Sequence, residues 1–412
     1  MRFVTPIILG AALAVPFAAQ AAPSNTLASA FSDGTPILDL RYRYEFVDQD
    51  NRLDNAHAQT LRTRVGFATA PLYGFSAIVE ADNVTRLGAE RYNDSRNGKS
   101  DYALVPDPDG TAINQALLRY QGEYANVTVG RQRFGLDNQR YIGGAAWRQN
   151  EQTFDAASLV LNPSDRLTLT YAYIDQVSTV FGPDGHNGHP NNAATIDSDS
   201  HLINLAYAFS AALKATLYYY HFDLQDLALS PTAPYQTQST NNAGIRLTGT
   251  YHDLIYSLEY ANQKDAAGNP WRLDSDYYLA ELGYQHTTWM VKAGYEVLGG
   301  GNGPNGAFQT PLGTKHLYQG WADQFLVTPA DGIKDAYLGG TLALLGGKLQ
   351  GWYHDFRAEQ GGDRYGREIN LAYGHPIPGV KGLMATVKAA RYREEGFSVD
   401  TDKAWVQLQY SY

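Results

Sequence analysis

From Leu38 to Phe46 the chain alternates without a break: Leu38, Leu40, Tyr42, Tyr44 and Phe46 are apolar or aromatic, and Asp39, Arg41, Arg43 and Glu45 between them are charged. Successive side chains of a strand point to opposite faces, so the segment predicts a strand with one greasy and one ionic face. The period of two returns in Leu61-Arg62-Thr63-Arg64-Val65-Gly66-Phe67 and in most later segments. No mature segment has about 18 consecutive apolar residues, which excludes a helical membrane protein. A soluble sandwich would alternate too, so spacing has to decide.

Segments of roughly ten residues, the length a tilted strand needs to cross a bilayer, recur with connections that are short and long by turns. Short ones include Ala70 to Gly74, Gln121 to Tyr124, His252 to Asp253 and Leu345 to Lys348; long ones include Leu87 to Ala112, Phe134 to Thr153, Ser178 to Ser200, Gln225 to Thr240 and Gly299 to Gly332. This is the rhythm of a transmembrane antiparallel β-barrel with short periplasmic turns and longer extracellular loops. Strand starts number about eighteen, an even count that returns the C-terminus to the side of the N-terminus; the alternative is about sixteen, because Asn242 to Tyr251 and Arg364 to His375 are the weakest patterns. Tyrosines such as Tyr171, Tyr256, Tyr295 and Tyr353 fall near strand ends or on the apolar face, as aromatic girdles require. The last strand, Ala404 to Tyr412, ends on an aromatic residue with apolar partners at alternate positions. It resembles the signal read by the outer-membrane assembly machinery, which is one expected partner.

The N-terminus sets the compartment. Met1-Arg2, an apolar run from Phe3 to Phe17 and Ala19-Gln20-Ala21 make a secretory signal peptide over residues 1–21, leaving a periplasmic segment at 22–35 and a barrel at 36–412. About 390 mature residues could make two ordinary domains, but no composition shift divides them. Without cysteine, an exported chain has to rely on packing and backbone hydrogen bonds, which a closed ladder supplies. A net charge of −10 argues against nucleic acid as a partner. It does not exclude an anionic ligand, since the charge at the narrowest ring governs a channel.

With the apolar parity turned outward to lipid and lipopolysaccharide, the inward set includes Asp39, Arg41, Arg43, Glu45, Arg62, Arg64, Glu80, Asp82, Arg119, Arg246, Glu259, Glu281, Lys292, Glu296, Glu368 and Lys388. In a dry core each such ion would cost several kcal/mol unless paired, so a hydrated interior is expected. Arginines concentrate further in Gly130 to Asp155, where Arg131, Arg133, Arg140 and Arg148 stand among Gln132, Asn138, Gln139, Gln149, Asn150 and Gln152. This long basic, amide-rich connection between two strands is expected to fold into or over the pore. Guanidinium groups pair bidentately with carboxylate or phosphate, which gives an anion-selective ring; the same arginines could instead brace the wall against Glu45, Glu80 and Asp82. Val127 and Val129 share parity with Arg131 and Arg133, and a bulge at Gly130 is expected to swap the faces.

Gly130-Arg131-Gln132-Arg133, Asp137-Asn138-Gln139-Arg140, Ile142-Gly143, Trp147 and Phe154-Asp155-Ala156, with Leu61-Arg62-Thr63-Arg64 upstream, resemble the alginate-export family of outer-membrane porins. The motif match covers about a hundred residues and the strand order the whole mature chain. The resemblance implies an eighteen-stranded barrel in the bacterial outer membrane, an arginine-lined conduit for acidic polysaccharide, and Arg131, Arg133, Arg140 and Arg148 as ligand contacts. The outer loops here are modest, and the solute class extends to anions and sugars generally.

Other readings are weaker. A serine hydrolase needs a nucleophile oriented by histidine, yet His221, His252, His286, His354 and His375 are scattered, so no enzyme is expected. A structural barrel or adhesin suits a narrow, plugged lumen. A general or phosphate-type porin is the alternative within transport. His186 and His189, Asp107-Pro108-Asp109-Gly110 and Asp197-Ser198-Asp199 lack a full metal ligand set, and no cofactor is expected. Gly299 to Pro304 reads as a flexible outer loop.

Overall fold

The computed structural model describes residues 25–183, 193–301 and 305–412; the leader, His186 and His189, and positions 302–304 of the glycine-rich stretch lie outside them. Among the described residues eighteen antiparallel strands form one closed barrel. They are β1 (Thr35–Gln49), β2 (Ala56–Ala68), β3 (Phe75–Arg86), β4 (Gly110–Gln121), β5 (Ala125–Gln132), β6 (Thr153–Ser164), β7 (Leu167–Ser178), β8 (Thr195–Ser210) and β9 (Leu213–Phe222). The second half comprises β10 (Thr240–Tyr251), β11 (Leu254–Asp265), β12 (Asp274–Gln285), β13 (Trp289–Leu298), β14 (Ile333–Leu344), β15 (Gly347–Arg357), β16 (Arg364–Pro376), β17 (Leu383–Glu394) and β18 (Thr401–Ser411). The larger expected count holds, because the two weakest patterns, now β10 and β16, both form full strands. Each strand pairs with its successor, and β1 closes the ring against β18 from Asp39↔Ser411 to Gln49↔Thr401. Closure matters because lipid offers no hydrogen bonds to an open edge.

The two faces follow the sequence parity. Val65, Leu205, Leu258, Leu282, Leu338 and Val406 are exposed on the outside, while Arg41, Glu45, Arg62, Glu80, Glu259 and Glu368 are buried within. Turns at one end are tight: His252 (φ 53°) serves the β10–β11 hairpin, and Leu345 and Gly346 (φ 49° and 82°) serve β14–β15. A short helix, α1 (Leu27–Ser32), capped by Thr26, precedes β1 at this end, and Phe31 stacks on Phe67 with ring centroids 6.3 Å apart. Connections at the other end are long, and three of them, 87–109, 133–152 and 299–332, turn inward and fill the barrel with their own side chains.

The expected bulge at Gly130 is absent. Strand β5 keeps unbroken register with both neighbours, from Ala116↔Arg131 to Gln121↔Asn126 and from Ala125↔Leu161 to Gln132↔Phe154. Gly130 takes φ +112° and faces inward without a parity change, so Val127, Val129 and Arg131 all point out. Arg131 is therefore no pore-lining residue. It sits on the outer face and grips Asp155 bidentately, with both contacts at 2.7 Å. The faces shift in neighbouring strands instead: Asn114 is an extra residue in β4, which turns both Asn114 and Gln115 inward.

A Cβ on Gly130 would run into the Ala116 carbonyl in a left-handed conformation that glycine tolerates and valine does not. Gly130→Val is expected to cost about 1–3 kcal/mol, read as a lower temperature for loss of the compact, heat-modifiable gel mobility of the barrel. Gly135→Ala, where the nearest atoms stand 3.6 Å away, should leave that temperature unchanged.

Candidate functional site

The inner faces of β18, β1, β2 and β3 make one charged wall. Register sets Arg41 directly across from Arg62 and from Gln409, Arg43 from Gln407, Glu45 from Trp405, and Arg64 from Asp39 and Asp82. Alternation alone brings these groups together, since every second residue of β1 and β2 must face the lumen.

The connection 133–152 crosses in front of this wall as a bar. Its first half is held at the far side: Tyr141 packs edge-on against Tyr220, Tyr277 and Phe308, and Tyr218 donates to the Tyr141 hydroxyl at 3.1 Å. Its second half is held at the charged wall, where Arg41 Nη1 donates to the Ala146 and Arg148 carbonyls (2.9 and 3.1 Å) and Arg43 to that of Trp147. The connection 299–332 locks onto the bar through the parallel bridge Ile142↔Leu312 and through Gln152, whose amide donates to Gly143 O (2.8 Å) and Leu312 O (2.9 Å). Beyond the glycine-rich stretch this segment buries Phe308, Leu312, Ala322 and Phe325 in the lumen.

Most of the expected arginines meet carboxylates here. Arg64 clasps Asp82 at 2.7 and 2.6 Å and reaches Glu151 at 2.9 Å; Arg133 bridges Glu151 and Glu80, each at 2.5 Å. Arg62 pairs with Asp39 at 2.5 Å, and Arg148 contacts Glu45 (3.1 Å), Asp107 (3.5 Å) and Asp323 (3.6 Å). Arg43 relies on Gln407 at 2.8 Å, with Asp107 3.5 Å away. On the far wall Arg246 holds Glu259 at 2.9 Å, Lys292 holds Glu281, and Arg140 lies over the Tyr318 ring 3.2 Å from Glu296. Arg140 thus fastens the bar to the far side, away from the cluster that gathers Arg133 and Arg148. Two inward arginines lack a carboxylate partner among the described residues: Arg41, only 1% exposed, and Arg119, which lies half-buried near the periplasmic mouth. Arg62, although paired, leaves Nε and Nη1 buried without a partner.

Several members of the cluster carried no readable signal. Glu151 ends the basic run, but its neighbours gave no hint that it would bridge two arginines. Asp107, weighed as a calcium ligand at a loop tip, is instead buried, facing Arg43 and Arg148 and accepting from the Gln149 N–H at 3.0 Å. His316 and Asp323 lie on one connection and meet Trp147, on another, only through long-range folding. The His316 ring stacks on Trp147 (centroids 3.5 Å apart), its Nδ1 lies 2.6 Å from Asp323, and its Nε2 meets the Lys388 ammonium. Burial drives the imidazole down to about 3 against the pull of Asp323, so it is neutral, donating from Nδ1 to Asp323 and accepting at Nε2. Lys388 is enclosed by the rings of Trp321, Trp405 and Trp147 at 4.0, 4.9 and 5.6 Å. From outside, a cavity of about 560 Å³ lined by Leu229, Gln309, Leu326 and Phe397 descends to Asp323.

Burial alone would raise the Glu151 carboxyl, but Arg64, Arg133, Arg62 and the Asn114 amide hold it at about 2. Because the folded value lies below the ordinary 4.5, this contribution to stability is complete above that pH and is lost as pH falls toward 2. Glu151→Gln should lower barrel stability by about 3 kcal/mol at neutral pH, since it strips a partner from two buried guanidiniums. Thermal unfolding followed from pH 6 to about 2 should show a smaller acid-dependent loss in the variant than in the wild type.

A sequence model described as alginate export matches residues 37–364. No curated protein matches in sequence. Among solved structures, Acinetobacter baumannii OccAB4 aligns with a TM-score of 0.71 at 17% identity, covering 92% of this chain and 98% of its own. Pseudomonas aeruginosa OccK11 (OpdR) aligns at 0.69 with 16% identity over 93% and 97%, and Pseudomonas aeruginosa OpdO at 0.69 with 17% identity over 93% and 98%. At such identities these likenesses concern the barrel fold.

Proposed function

Because the chain belongs to the alginate-export family of outer-membrane channel proteins, we propose that it passes anionic or sugar-like solutes passively, acidic oligo- or polysaccharides among them, along the arginines of β1 and β2. The observation that carries this reading is the Arg41–Arg62 pair. Two guanidiniums face each other across the β1–β2 ladder with Asp39 as the one carboxylate paired to either among the described residues, and two buried nitrogens of Arg62, Nε and Nη1, find no acceptor among them. Buried donors left unmet are costly, and a carboxylate or phosphate oxygen that reached them would satisfy them. Arg119, with no ion pair among the described residues, lies on the same route toward the periplasm.

A wide general-diffusion pore is disfavoured by the bar at 133–152 and the segment 299–332, which occupy much of the lumen. The other inward arginines apart from Arg119 are braced by carboxylates and act chiefly to hold the bar in place. Arg131, on the outer face, takes no part.

Reversal potentials in asymmetric salt test this. Wild-type channels should favour anions, and Arg41→Gln with Arg62→Gln should reduce the anion-to-cation permeability ratio severalfold, whereas Arg131→Gln should not change it. Oligouronate should block at lower concentration than inorganic phosphate or a neutral oligosaccharide of equal length. Identical ratios in all three proteins would reject the arginine pair as the selective element.

A further inference from the structure

The outer face of the barrel carries a second arginine group that the conduction path does not use. On β15, β16 and β17 the outward row at the extracellular edge holds Asp355, Arg367 and Arg393 side by side; one step toward the membrane come Ile369, Arg391 and Asp402. Arg357 and Arg364 flank this row at the top. Below it the outward residues are apolar, with Ile369, Leu371, Val387 and Val406 all exposed. The arginines therefore stand where the apolar band ends, at head-group depth.

Their pairing leaves donors free. Arg364 and Arg367 contact Glu395 at 3.0 and 2.8 Å; Arg357 and Arg364 contact Asp355 at 2.8 and 2.7 Å; Arg393 contacts Asp402 at 2.9 Å and Asp400 at 3.6 Å. A guanidinium has five N–H donors, and two or three contacts, Arg393 also donating to the Tyr392 carbonyl at 2.8 Å, do not use them up. Arg391 is the most open: its side chain is 67% exposed, and Asp402 stands 3.8 Å away, beyond hydrogen-bond reach. Directly beneath it lies a cavity of about 280 Å³ lined by Ile369, Leu371, Ala389, Arg391 and Asp402. Its floor is low because the side chains between Leu371 and the next strand are small: Ala389 and Ala390 line it, and Ala404 stands across from Ala389. At the same level β8 and β12 carry Asp197, Asp199, Asp274 and Asp276 with no arginine on either strand.

A phosphate takes guanidinium donors bidentately, and a trough floored by alanines beside it accepts a hydrocarbon chain. We infer that the outward face of β15 to β18 binds the phosphate of an outer-leaflet glycolipid, with Arg391, Arg367 and Arg393 on the head group and one acyl chain along Ala389.

Native mass spectrometry of the full-length mature barrel in detergent, with diphosphoryl lipid A as the probe and EDTA present, tests the assignment. Wild type should retain the lipid, and Arg391→Gln with Arg393→Gln should weaken retention about tenfold or more, as loss of charge-assisted contacts implies. Ala389→Trp, which fills the trough without touching charge, should weaken it too; Arg131→Gln should not. Heat-modifiable mobility and single-channel conductance should stay at wild-type values in each variant, which separates this site from the conduction path. Equal retention of enzymatically dephosphorylated lipid A, binding that appears only when magnesium is added, or a change of oligomeric state in the arginine variants would each overturn the assignment.

Discussion

Every guanidinium that the first two strands turn inward needs an oxygen. That requirement organises the interior of this barrel. Arg41, Arg43, Arg62 and Arg64 face the lumen because the strand period leaves them no other side, and buried unpaired they would cost several kcal/mol each. The chain meets this with carboxylates from β1 and β3 and with carbonyls and acids carried in by two long connections. The loops thus do more than shade the pore; they complete the coordination of the wall. The same requirement explains why the bar spans the lumen, since one half must reach the arginines while the other is held among tyrosines on the opposite side.

The junction around His316 shows the logic in small compass. A neutral imidazole lets one ring donate to Asp323 and accept from Lys388, so that three charged or polar groups from a loop and the wall are satisfied without adding a further charge to a crowded site. Stacking on Trp147 then ties the connections 133–152 and 299–332 together. Asp323 also takes Lys403 at 2.9 Å, which anchors the same point to the last strand.

The barrel itself was largely legible. A strand between lipid and an ionic lumen must alternate, and the alternation of short and long connections fixes which end is which, so strand number and starts follow from local pattern. The exception among strands was β5, where a glycine at positive φ kept its parity although the side chains after it changed from apolar to basic; Arg131 could sit on the outer face because Asp155 lay beside it on β6. The arginine wall was legible for the same reason as the strands. Its partners were not. Glu151, Asp107 and Asp323 reach it from connections whose paths depend on hydrogen bonds between residues up to 180 apart, and no period records such contacts. For that reason the balance between bracing and ligand binding could not be read before the carboxylates were placed.

The charged wall straddles the seam of the ring: Arg41 and Arg43 lie against Gln409 and Gln407, and the Tyr412 N–H donates to the Leu38 carbonyl. The ionic side of the first strand is therefore enclosed only when the last one pairs with it. A polypeptide that ended before the last strand would leave that side and its ladder edge open to hydrocarbon, an arrangement that the membrane itself disfavours.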